Sequence, residues 1–74
     1  MLKELMEELQ AKGVSCTIEG LSGGIEGITF PNSNYFVTPD EVEEGLYHLT
    51  NGEDNGEQHI VFTFDEIVQV VTNW

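Results

Sequence analysis

Apolar residues recur along this chain with two periods, and the switches between the periods divide it into seven elements. Leu2, Leu5, Met6 and Leu9 stand at i, i+3, i+4 and i+7, the single stripe of an amphipathic helix over 2–12. Glu4, Glu7 and Glu8 fall on its other faces, and Gly13 supplies a stop. Val14, Cys16 and Ile18 then alternate with Ser15, Thr17 and Glu19, which predicts a strand with one buried face. Gly20 to Gly24 reads as a turn and Ile25 to Phe30 as a second strand. A bulge is expected at Gly27, because Ile25 is out of phase with Ile28 and Phe30. After the turn cluster Pro31-Asn32-Ser33-Asn34, Tyr35-Phe36-Val37 reads as a third strand. Two hairpins would join these three strands into an antiparallel meander.

The second half repeats a local device. The run Tyr35 to Val42 is echoed by Ile60 to Ile67, and in each a β-rich stretch ends at a threonine followed three residues later by glutamate. Thr38 with Glu41, and Thr63 with Glu66, therefore read as capping boxes that open helices. Pro39 suits a first helical position, and Asp40, Glu41, Asp65 and Glu66 suit the positive ends of helix dipoles. The first of these helices is expected to run to about Thr50, burying Val42, Leu46 and Leu49, with Gly45 inside it and Asn51-Gly52 as its stop. Gln58 to Phe62 reads as a fourth strand. The last helix, Phe64 to Asn73, would bury Ile67, Val70, Val71 and Trp74, with a strand as the competing reading of so many β-branched residues. The expected order is α-β-β-β-α-β-α: one α+β domain over 1–74, with helices on one face of a small, mainly antiparallel sheet of about four strands.

Charge changes this picture more than any motif does. Fourteen carboxylates face two lysines and no arginine, a formal net charge of -12. Self-repulsion of that size opposes compactness, and the field it creates bears on partners rather than on fold. It argues against direct contact with nucleic acid and with anionic membrane surfaces, and it favours a basic partner. No apolar run approaches the roughly 20 residues of a membrane span, and the N-terminus has no apolar signal core, so a reducing cytoplasm is the expected compartment.

Candidate chemistry is sparse. Placing Asn51, Glu53, Asn55 and Gly56 at the first, third, fifth and sixth positions of a calcium loop puts Phe62 where a bidentate glutamate belongs, so a solvated turn is expected. His48 and His59 come from different elements and lack the spacing of a metal motif. Cys16 is alone, at an inward strand position and without nearby cations to activate a thiolate. No glycine cluster forms a phosphate loop. Neither an enzyme, nor a cofactor, nor a metal site is expected.

The carboxylates as a set point elsewhere. Helical residues three or four apart are about 5–6 Å apart at Cβ, a spacing that approximates the charge density of a nucleic-acid strand. Glu4, Glu7 and Glu8 form one group, Asp40, Glu41, Glu43 and Glu44 a second, and Glu53, Asp54 and Glu57 extend the field through a loop. Such a surface would occupy the basic groove of a nucleic-acid-binding protein. Ile25, Phe36 and Val61 are expected on the sheet face away from the helices, where they would suit a protein partner or a weak homodimer.

The amphipathic helix Leu2 to Lys12, the strand Val14 to Ile18, the Gly/Ser turn, the second strand, the run Asn34-Tyr35-Phe36-Val37 and an acid-capped helix after it together resemble the layout of small acidic phage-encoded anti-CRISPR proteins. The similarity is to the type II-A inhibitor that blocks recognition of the target-adjacent DNA motif. It covers the first two-thirds of the chain, in order, size and charge. That family places key acids in its hairpin loops, whereas the Pro31–Asn34 turn here carries none. The resemblance implies a DNA-mimicking inhibitor of a CRISPR effector. The alternative is a non-enzymatic interaction or regulatory module, dimeric through the apolar sheet face.

Overall fold

Five strands pair in sequence order as one antiparallel sheet, and two helices lie on one of its faces. The computed structural model describes residues 2–52 and 59–73. The elements are α1 (Leu2–Ala11), β1 (Thr17–Gly20), β2 (Glu26–Thr29), β3 (Tyr35–Pro39), β4 (Leu46–Asn51), β5 (His59–Thr63) and α2 (Phe64–Thr72). The α+β class, the helices on one face and the meander of the first three strands are as the sequence predicts. The order is α-β-β-β-β-β-α, with five strands rather than four.

The difference lies in the expected middle helix, which does not form. Residues 46–51 are instead the central partner of the last three strands, with Pro39 opposite Tyr47 on one side and Phe62 opposite Tyr47 on the other. Local grammar at Thr38–Glu41 does begin a helical turn. The Asp40 carboxylate accepts from the amides of Val42 and Glu43 at 3.1 and 2.7 Å, which is how a helix N-cap binds. The turn then meets Gly45 at φ +87°, a conformation no helix contains, and the chain reverses into β4. Val42, expected inward, is 90% exposed, while Tyr47, never part of the helical stripe, is buried. Thr38 sits inside β3, paired with His48.

The second capping box forms in full. Thr63 Oγ1 accepts the Glu66 amide at 3.3 Å and the Glu66 carboxylate accepts the Thr63 amide at 2.9 Å. It settles α2 as a helix despite its β-branched residues, because two otherwise unsatisfied donors are met at its start. Ile67, Val68 and Val71 are buried and Val70 packs at the margin; Trp74 lies outside the described residues.

Strand register sorts the side chains into two faces. Ile18, Ile28, Val37 and Leu49 share a row, with Phe30 and Tyr47 on the same side. They meet Leu5 and Leu9 of α1 and the apolar face of α2 in one core. Tyr47 and Phe64 pack edge to face at 6.2 Å between centroids. The pairing of β1 with β2 runs unbroken from Thr17 opposite Thr29 to Gly20 opposite Glu26, so Gly27 is not a bulge. Its glycine has another cause: a Cβ there would stand 2.7 Å from Leu21 Cδ1 and 2.9 Å from the Val37 carbonyl oxygen.

Candidate partner-binding surface

The meander decides where the acids go. β1 ends at Gly20 opposite the start of β2 at Glu26, β3 ends at Pro39 opposite Tyr47, and β5 ends at Thr63 opposite Leu46. These termini all lie at one end of the sheet. The β3–β4 connection with Asp40, Glu41, Glu43 and Glu44 is there, and so is the start of α2 with Asp65 and Glu66. Glu26 opens β2 at the same end. Glu4 joins them from the start of α1, whose other end leads through 12–16 to the start of β1 at the far end of the sheet; the Glu4 charge also adds to burial in raising the Tyr47 phenol above its ordinary pKa. Among the described residues, the opposite end carries the Pro31–Asn34 turn, Gly13–Ser15 and Asn51-Gly52, all uncharged.

The structure therefore brings together Glu4, Asp40, Glu41, Glu43 and Glu44 from the expected set, and adds Glu26, Asp65 and Glu66. Counting back through the hairpins places Glu26, but no local pattern marks it. Glu7 and Glu8 sit farther along α1, where Glu8 is 3.6 Å from Lys12 in an exposed i,i+4 pair. Glu53, Asp54 and Glu57 lie outside the described residues. The four acids at 40–44 are not a helical row, so their spacing does not copy a phosphate strand by the 3.6 period. Glu41, Glu43 and Glu44 are instead exposed on a tight connection.

Asp40 has a different role. Besides the two amides on Oδ2, its Oδ1 lies 2.7 Å from His48 Nε2. The Glu43 amide first, then the His48 ring and the Val42 amide, hold its carboxyl below the ordinary carboxylate value of 3.8. A lowered pKa means the folded state favours the anion. The contribution is present above pH 3.8 and is lost as pH falls through the lowered value. Asp40→Asn keeps an acceptor oxygen but does not titrate. Urea unfolding across pH should thus show the variant less stable at neutral pH, with the difference from the parent shrinking in acid below 3.8. A difference that is constant with pH would show that the clasp does not depend on charge.

Phe36 and Val61 do lie on the face away from the helices, in register with Thr29 and Thr50 and with His48 respectively. Phe36 is half-buried, and Val61 and Ile25 are 44% and 42% exposed. Threonines occupy much of the rest. Thr29 donates to the Glu19 carboxylate at 2.9 Å and stands 3.4 Å from Thr17. Burial pushes the Cys16 thiol up, away from nucleophilic use. Among the described residues no group of three or more His, Cys, Asp or Glu is placed to hold a metal ion, and no helix is long and apolar enough to cross a membrane.

Comparison with protein-family models, with curated proteins and with solved structures yields no match. The last element of the anti-CRISPR-like layout, an acid-capped helix after Val37, is replaced here by a hairpin.

Proposed function

We propose that this protein is a non-enzymatic inhibitor that occupies the basic groove of a nucleic-acid-binding protein as a DNA mimic. A CRISPR effector is the target class that the sequence resemblance implies. The observation that carries the reading is the concentration of Glu4, Glu26, Glu41, Glu43, Glu44 and Asp65 at one end of the sheet, where Lys3 beside Glu4 is the one lysine among them, with Lys12 at the far end of α1. A surface that served only solubility would intersperse both signs. A basic groove that closes on such an end releases its own counterions, the gain that DNA binding would provide.

The immobilised protein, challenged with purified guide-loaded CRISPR effectors, should retain one of them. Retention should fall steeply between low and physiological salt and be displaced by duplex DNA bearing the effector's recognition motif. Retention by none of them overturns the target class. Retention that ignores salt and DNA but is lost in Phe36→Ala favours a second reading, an interaction module acting through the open sheet face, for which half-buried Phe36 and exposed Val61 are the supporting observation.

A further inference from the structure

The two edges of the sheet differ. β1 is four residues long, carries Glu19, and has the carbonyl at its entry, that of Cys16, already taken by the Gln10 amide at 2.9 Å. β5, the sequence His59-Ile60-Val61-Phe62-Thr63, has no lysine, proline, glycine or acid within it. Those are the devices by which natural edge strands are normally blunted. Ile60 lies on the helix-covered face yet is 61% exposed, and Val61 on the other face is 44% exposed, so the helices cover β5 at Phe62 but leave its Ile60–Val61 stretch open.

Parity identifies the backbone groups that β5 turns away from β4. The Asp40 amide donates to the Leu46 carbonyl at 2.8 Å, so Leu46 turns its backbone groups toward β3. Its partner Thr63 must then turn its own away from β4, in agreement with capture of the Thr63 amide by Glu66. Val61 and His59, two and four residues earlier, face outward in the same way. The edge thus turns the N–H and C=O groups of His59 and Val61 outward, while the Thr63 amide is taken by Glu66, with the apolar side chains of Ile60 and Val61 on its two faces.

We propose that β5 is a docking edge for an extended segment of another protein, one with alternating apolar residues and lysine or arginine at its flanks, which adds as a sixth strand. The flanking chemistry decides the occupant. Asp65 and Glu66 stand in the first turn of α2, which starts where β5 ends. Two copies of a chain with net charge -12 would repel along this edge, whereas basic flanks would be drawn to it. The proposal does not rest on the DNA-mimic reading: Asp65 belongs to both surfaces, but the backbone edge of β5 is no part of the acidic end and the acids at 41–44 lie on another connection.

The probe is a short capped peptide alternating valine and threonine, with a lysine pair at each end. Titrated into isotope-labelled protein, it should shift amides of 59–63 saturably. Val61→Pro removes an outward N–H that β4 does not use, and it should weaken binding roughly tenfold or more. The same peptide N-methylated at its β5-facing amides, which needs no protein variant, should lose binding to the same extent. Glutamate in place of its lysines should do likewise. The proposal is overturned if the shifts centre on 41–44 with β5 silent, or if N-methylation or the charge swap has no effect. It is also overturned if β5 is already occupied in a homodimer that Val61→Pro dissociates.

Discussion

Reversal of Glu41, Glu43 and Glu44 to lysine together should weaken binding to a basic groove by about a hundredfold and leave the protein folded. Each side chain is exposed and none makes a side-chain hydrogen bond among the described residues; the Glu43 amide donates to Asp40, and the substitution retains it. The three reversals halve the formal net charge of -12. An exposed ion pair contributes up to about 1 kcal/mol, and replacing attraction by repulsion at three sites brings the sum to roughly 3 kcal/mol, about two decades in affinity. Loss of self-repulsion should at the same time hold or raise the melting temperature. That opposite movement separates lost recognition from lost structure. Equal affinity of variant and parent, measured by titration calorimetry at low salt, would remove the acidic end from the interface and return the function to the open sheet face.

Leu5→Ala should leave a chain that is substantially unfolded without denaturant. Leu5 is completely buried at the centre of α1, packed into the single core that both helices and the sheet share. Truncating such a leucine typically costs 2–5 kcal/mol, from the transfer of the lost methyl groups and the cavity left behind. A domain of this size has roughly 3–5 kcal/mol to lose, and its crowded carboxylates draw on the same margin. Circular dichroism and urea titration should show a shortened or absent native baseline, with partial recovery in high salt as the charges are screened. A loss under about 1 kcal/mol would mean that α1 is not integral to the core.

How much of this was legible depended on how local the deciding interaction is. α1 reads from its stripe, and α2 from the reciprocal bonds of Thr63 and Glu66, which span three residues. The helix expected after Thr38 failed on the same evidence, because Asp40 caps a turn that Gly45 ends. What favours β4 there is pairing with β3 and β5, and neither partner is visible in the stretch 39–50 itself. Gly27 shows the same limit: its glycine follows from Leu21 and the Val37 carbonyl, brought to it by two separate hairpins.

Composition and periodicity by themselves determined the class of the fold, the first helix, the first meander, the start of the last helix and the sign of the surface charge. Each of these is a property of residues within a few positions of one another, or of their sum. Tertiary structure alone decided that residues 46–51 are a strand, that Glu4, Glu26, Glu41, Glu43, Glu44 and Asp65 share one end, and that β5 is the open edge. Strand register is set by pairing between distant segments, and it is register that carries a charge to one end of a sheet or leaves a backbone amide facing solvent.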